Sequence, residues 1–366
     1  MTTGGLRCVV VGAGTVGSAC AWFLQRRGAQ VTLIDSELPG QSTSFGNAGC
    51  ISKTSVFPFS YPGVIRKLPG WLLDPDGPVR IRWSQLPRVA PWLYRFWRAG
   101  SQRRVREIVA AQLALMNDVL RDYDEILAAT GSEHLRQADG MILLYESQAH
   151  FEADAWKYRE RDRWGLSWRR LGREELAEME PEIRLADGVA LFEPLWQHLT
   201  DPGAVTGRIA EAAIAQGAEW LRDRVRGVTA DQAGITVNTV SGRSIRADRV
   251  VLASGVWTNS LLEPLGFRVP LLPKRGYHAM FARPEIEIRR PIMSVSRHVL
   301  LTPMAGGLRV SGTAEFAAVD APPDYARARS LVTTARNFVP DLDGDGVTEW
   351  MGQRPMMADS LPVLGP

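Results

Sequence analysis

The stretch VVVGAGTVGSACAWFLQRRGAQVTLID, residues 9–35, constrains the fold more than any other part of the chain. Cys8 to Val11 is a short apolar run rich in β-branched residues, which suits a strand buried on both faces. Gly12, Gly14 and Gly17 follow with GxGxxG spacing, and an apolar helix leads through Gly28 to a second strand, QVTLID. In that setting the first glycine allows a tight turn and the second lets backbone approach a pyrophosphate. The third lets the helix pack closely on the strand. The free N–H groups and positive dipole end of the helix face the phosphates. Asp35 closes the second strand 18 residues beyond Gly17, where a carboxylate accepts hydrogen bonds from ribose hydroxyls and repels a 2′-phosphate. The run predicts a dinucleotide site and disfavours NADP, while FAD and NAD both remain open.

The order of the later elements separates those two. A chain of 366 residues has room for two domains, and 45% hydrophobic with 23% charged residues is a globular composition. A lone NAD-binding domain continues strand–helix–strand in succession. Here the second strand is followed by the turn-rich stretch PGQSTSFGNAGCIS and a long irregular segment. A helix opening at Asp201-Pro202, a β-meander and a strand ending in Ala253-Ser254-Gly255 come only much later. A nucleotide fold split in this way and threaded through a β-rich partner suits the larger flavin cofactor. The fold class expected is α/β (α+β), a Rossmann-like FAD-binding domain interleaved with a β-sheet-rich substrate domain. The expected boundaries are 1–52 with 201–262 and 345–366 for the first, and 132–200 with 263–344 for the second.

Between them lies a basic aromatic insertion, 53–104. It carries Trp71, Trp83, Trp92 and Trp97 and ten Lys or Arg residues against Asp74 and Asp76, a net +8 in a chain of net +3. Tryptophan with arginine suits a membrane interface, so the segment is expected to dock peripherally on anionic lipid. The competing expectation is that its aromatics fill the cleft between domains. No apolar run approaches the ~20 residues of a membrane span. Cys8, Cys20 and Cys50 have no metal-binding spacing, so no metal site is expected, and an odd number of thiols fits a reducing, cytoplasmic setting. Nothing points to nucleic acid.

The motifs, taken in order, resemble the FAD-dependent amino-acid oxidase and dehydrogenase superfamily of the glycine and D-amino-acid oxidase type, most of all the D-amino-acid dehydrogenase small subunit. The resemblance spans essentially the whole chain. TSFGNAGCIS resembles the loop that implies Ser44, Asn47, Ala48 and Gly49 near pyrophosphate and flavin. RVRGV implies that the Val225 backbone faces adenine. ASGVWT brings Ala253 and Gly255 to the cofactor. Gly12, Gly14, Gly17 and Asp35 fall on FAD by the same likeness. PKRGY, VSGTAEF and GQRPMMADSLPVLG resemble the substrate-domain and closing motifs. The family continues beyond the equivalent of Gly365 with a turn and helix over the flavin, so weaker flavin retention is expected of the chain as written. With all three cysteines in the first fifty residues, FAD is expected to be non-covalent.

The implied chemistry is oxidative deamination of a small-molecule D-amino acid, or of a cyclic imino acid such as D-hydroxyproline. A hydride passes from Cα to FAD, and electrons go on to a quinone or redox-protein acceptor. Such a site must bind a carboxylate and hold Cα in place, with no obligatory proton-transferring side chain. The arginine of the family's GxRP motif, here Arg354, is implied as the carboxylate clamp, since its planar fork matches a carboxylate in two bonds. Tyr277 is a candidate hydroxyl on the substrate, against the equal alternative of a half-buried strand tyrosine. His298 and His278 are weaker candidates. Lys274 and Arg275 could stabilise a reduced flavin, but solvated strand positions are the stronger expectation. Two other functions compete: an oxygen-using glycine or sarcosine-type amine oxidase, and a non-catalytic FAD-binding subunit of an amine dehydrogenase complex.

Overall fold

Four parallel strands form the nucleotide sheet, in the spatial order Glu219–Arg222, Gln30–Asp35, Arg7–Val11, Arg249–Leu252. They are described by a computed structural model covering residues 5–74, 77–232 and 234–365. Side-chain alternation sorts the apolar run of the first strand into two cores. Cys8 and Val10, with Val31 and Leu33 of the next strand, meet the helices Thr15–Arg26 and Pro202–Ala215. Val9, Val11 and Ile34 face the antiparallel meander of strands Val225–Asp231, Gly234–Thr239 and Ser244–Ala247, through Val228, Val237 and Ala247. Covering both faces is why these strands lack polar alternation. The Pro202 helix starts where Asp201 Oδ1 accepts the Ala204 N–H at 2.8 Å, with proline in the first turn.

The second body is a nine-stranded mixed sheet. Thr348–Met356, Leu272–Phe281, Gly307–Phe316 and Val299–Met304 lie side by side at one end, and Met141–Tyr145, Val189–Glu193 and Arg169–Leu171 complete the other. The helix Ala326–Ala335 buries Ala328, Leu331 and Ala335 against it.

Two domain assignments need correction. Within the segment 345–366, Thr348–Met356 is not a strand of the nucleotide sheet: it pairs along its whole length with Leu272–Phe281 in the substrate sheet. Part of the insertion 53–104 joins that body as well. Its strand Val79–Ile81 runs parallel to the end of Gly307–Phe316, and Ile81, Val89 and Trp92 share a core with Leu272, Phe316 and Met356. Pro75 and Asp76 of the insertion lie outside the described residues. Among those described, no helix is long and apolar enough to cross a membrane.

Candidate active site and cofactor cradle

The glycine turn is built to a tolerance that no side chain fits. Gly12 has φ of 105°, and a Cβ there would stand 2.5 Å from the Ala253 carbonyl oxygen. A Cβ on Gly17 would stand 1.7 Å from the Gly12 oxygen, so the helix can approach the strand only because Gly17 has no side chain. Gly14 precedes the first helical residue, Thr15, and has no capping side chain of its own. Val16, in the first turn of that helix, is 66% exposed. Asp35 accepts the Ala13 N–H at 2.7 Å through Oδ2 and the Glu37 N–H at 3.0 Å through Oδ1. Its remaining lone pairs stay available. Arg222 pairs with Asp35, so Val225, just beyond, reaches the same edge of the sheet. Gly255 turns the chain with φ of 56° directly after Ala253 and Ser254. Glycine turn, helix terminus, acid and exposed apolar surface converge on one edge, and these residues fit FAD.

The loop after Pro39 crosses this edge. Ser44 Oγ accepts the Thr15 N–H at 3.0 Å, and Thr15 Oγ1 lies 3.0 Å from Thr206 Oγ1, so a cluster of hydroxyls caps the first helix. Asn47 folds the loop on itself: its Nδ2 donates to the Ser44 carbonyl at 2.9 Å, and its Oδ1 accepts the Gly49 N–H at 2.6 Å. Arg309 reaches from the substrate sheet to the carbonyls of Phe45 and Asn47. Burial holds its pKa down to about 10. From the same side His278 Nδ1 hydrogen-bonds the Gly46 carbonyl at 3.1 Å, and its ring stacks on Trp350 at 5.0 Å. The two bodies are thus clamped together at residues 45–47. Cys50 follows this loop, and burial pushes its thiol up to about 12, which leaves a packing role.

A cavity of about 380 Å³ opens against Asn47 and Ala48. Its floor is the substrate sheet, carrying Lys274, Arg354, Ser311 and Thr313. Its roof is the insertion, with Phe59, Leu68, Trp71, Trp92, Leu93 and Phe96. The Arg354 guanidinium lies across Gly276, where an added Cβ would sit 2.1 Å from Nη2. Lys274 is directly opposite Arg354 in register. Among the described residues neither side chain forms an ion pair, and burial depresses both, Lys274 to about 7 with the Arg354 charge adding to the effect. The Arg354 guanidinium under an apolar roof, with Lys274 across the strand pair, could receive an anion beside an apolar annex. Backbone strain collects beside it. Thr313, a β-branched residue, has φ of 56° at a bulge, and His298 has φ of 57°. Burial, reinforced by Lys157 and Lys67, holds His298 down to about 4, so its imidazole is neutral at pH 7.

Of the residues singled out for catalysis, Arg354 and His298 line the cavity and Tyr277 does not. Tyr277 points to the opposite face of its strand, where its hydroxyl donates to Glu315 at 2.5 Å and accepts the Asp324 N–H at 3.0 Å. Lys274 and Arg275 are not solvated: they are 7% and 0% exposed. Arg275 is spent on the carbonyls of Pro322, Ala318 and Ala321 and on Glu315. Inspection of the sequence missed Arg309, Trp350 and Thr313. The strand alternation Lys274, Gly276, His278 was the available signal for the cavity face, since it shares parity with Arg354 in the paired strand. The insertion divides between two environments. Trp71, Trp92 and Phe96 turn inward as cavity wall, whereas Trp83 and Trp97 remain 82% and 57% exposed.

The profile of one protein family, DAO, described as FAD dependent oxidoreductase, matches residues 7–366. A D-amino-acid oxidase of Bradyrhizobium diazoefficiens is 33% identical over 99% of this chain and 87% of its own length. A D-amino acid dehydrogenase of Paramagnetospirillum magneticum is 32% identical, covering 98% of this chain and 87% of the relative. Among solved structures, glycine oxidase from Geobacillus kaustophilus superposes with a TM-score of 0.73 at 22% identity, covering 98% of this chain and 86% of that one.

Proposed function

The chain belongs to the DAO family of FAD-dependent oxidoreductases, and from that premise we propose that it oxidises the Cα–N bond of D-amino acids, cyclic imino acids such as D-hydroxyproline included, and delivers the electrons to a quinone or redox protein. The observation that carries this reading is the Arg354 guanidinium on the cavity floor, with no carboxylate partner among the described residues, next to the loop that holds Asn47 and Ala48. FAD, when bound, supplies the two-electron acceptor for the hydride leaving Cα.

The protein supplies position and dryness. The planar fork of Arg354 grips the substrate carboxylate at two points and thereby fixes the amino-acid backbone on the cavity floor. The roof of Phe59, Leu68, Trp71, Trp92 and Phe96 receives the side chain and excludes water. His298 is neutral there and can accept or donate a hydrogen bond without bringing a charge. The Gly12, Gly14, Gly17 turn with Asp35, Ser44, Ala253 and Gly255 would hold the nucleotide, and Val225 would stand at its adenine end.

The second reading is an oxygen-using oxidase of glycine or sarcosine type. The apolar annex favours bulkier substrates, because glycine would leave most of it unfilled. The exposed Trp83 and Trp97, with Arg88, Arg95 and Arg98 around them, support peripheral contact of the insertion with anionic lipid on the inner face of the cell membrane. Anaerobic bleaching of the flavin by a panel of D- and L-amino acids, sarcosine and hydroxyprolines tests the substrate class, and hydrogen peroxide per turnover decides the acceptor. Arg354→Leu should cut kcat/KM about a hundredfold or more on amino acids, with partial recovery in Arg354→Lys. An amine lacking a carboxylate should be unaffected. Equal loss on both substrates would remove Arg354 as the carboxylate clamp.

A further inference from the structure

Lys274 occupies an unusual position. It is one of only four lysines in the sequence, it is 7% exposed, and it lines the cavity directly across the strand pair from Arg354. We propose that Lys274 is the base that takes a proton from the substrate's ammonium, leaving the amine neutral on the cavity floor. The proposal rests on the amino-acid reading of the site.

The geometry follows from the register. Side chains of directly paired residues leave the sheet about 5 Å apart on the same face. A carboxylate gripped by Arg354 has its α-nitrogen one carbon away, so the ammonium lies between the two floor residues. In the transfer, an N–H bond of the substrate breaks and an N–H bond forms on Nζ. Substrate –NH₃⁺ and lysine –NH₂ become –NH₂ and –NH₃⁺, with no change of oxidation state. The new lysine ammonium then flanks the same carboxylate as Arg354 and is stabilised by it.

The groups around Lys274 favour its neutral form before substrate arrives. The neighbouring strand Thr348–Met356 presents Arg354. The turn before Val299 presents His298, whose own charging Lys274 opposes. The insertion presents Tyr61, which faces Lys67, and the Phe59 ring, whose face 4.4 Å from Nζ favours the ammonium and is outweighed by desolvation and the Arg354 charge. The strand Gly307–Phe316 presents Ser311 and Thr313 to the cavity. Its carboxylate, Glu315, is engaged by Arg82, Arg275 and Tyr277. No described carboxylate pairs with Nζ, and desolvation with the Arg354 charge holds the ammonium down to about 7. A lysine so placed carries a usable lone pair at neutral pH.

The test is anaerobic flavin reduction in FAD-loaded protein across pH 6–11, with a D-amino acid that reduces the wild type. The apparent second-order rate should fall on the acid side of about pH 7 in the wild type. In Lys274→Met and Lys274→Arg that limb should move toward the ammonium pKa of the free amino acid. At pH 7 the variants should be about a hundredfold slower, with the rate recovering at high pH. A second readout needs no turnover. Labelling of the holoprotein with an amine-directed reagent, read by peptide mass spectrometry, should give Lys274 half-maximal reactivity near pH 7, and propionate should protect it. An unmoved acid limb in variants that still reduce flavin overturns the proposal. So does Lys274 labelling only near pH 10, or a tenfold loss of propionate affinity in Lys274→Met with the limb unmoved, which would make it a second carboxylate anchor. Failure of every D-amino acid to reduce the wild-type flavin overturns the amine-oxidation reading itself, and the proposal with it.

Discussion

Arg354 lies flat over Gly276 on the neighbouring strand, so close that a Cβ added to Gly276 would stand 2.1 Å from its Nη2 and 2.2 Å from its Cζ. The guanidinium owes its aim at the cavity to a missing side chain. Gly276→Ala should therefore displace Arg354 while sparing the fold, because the obstructed atoms are the far end of a flexible side chain. The expected outcome is a loss of kcat/KM on amino acids of about tenfold or more, with thermal stability within ~1 kcal/mol of wild type. Steady-state kinetics beside a melting curve checks it. Unchanged kinetics would show that Arg354 finds the same position without the glycine.

Gly17 poses the opposite case, since the collision there is with backbone. A Cβ at this position would stand 1.7 Å from the Gly12 oxygen and 2.9 Å from its carbonyl carbon. Gly17→Ala should force the first helix off the strand, and with it the phosphate-facing turn. Flavin content after purification should drop sharply and the melting temperature should fall. Retention of stoichiometric FAD would contradict the close approach.

Asp35 joins the turn to the end of the second strand through the Ala13 and Glu37 N–H groups. Asp35→Ala should weaken FAD binding by on the order of 1–3 kcal/mol, about tenfold to a hundredfold in Kd. Asp35→Asn should recover part of this by keeping an acceptor oxygen. Flavin titration of the apoprotein measures it, and equal affinity in all three proteins would reject the assignment.

His278 and His298 make the fold acid-sensitive. Both are depressed to about 4 from an ordinary 6.5, chiefly by burial, with Arg309 adding for the first and Lys157 for the second. Between pH 4 and 6.5 the unfolded chain binds more protons at these sites than the native one. Their contribution is thus fully present above the unfolded value and is lost as pH falls through that window. His278, at 3% exposure, should account for on the order of 2–3 kcal/mol of the decline. His278→Gln should flatten the dependence of melting temperature on pH between 4 and 6.5. A parallel curve would show that His278 is not the titrating group.

Local chemistry made the nucleotide half legible from the sequence. Gly12, Gly14, Gly17 and Asp35 act within a single strand–turn–helix–strand unit, where spacing along the chain equals spacing in space. The helix cap at Asp201 and the split order of the elements were legible for the same reason. The strand Thr348–Met356 was placed with the wrong sheet because pairing partners are chosen by distant segments: it found Leu272–Phe281, some seventy residues back. The same pairing decided which charges meet. Strand alternation sets Tyr277 and His278 on opposite faces, but only the fold shows which face is the cavity. That left Tyr277 on Glu315 and brought Lys274 beside Arg354. The floor of Lys274 and Arg354 and the aromatic roof of Phe59 to Phe96 come from segments about 180 to about 300 residues apart. Whether a lysine is solvated or desolvated depends on what is packed over it, and no local pattern of residues carries that information.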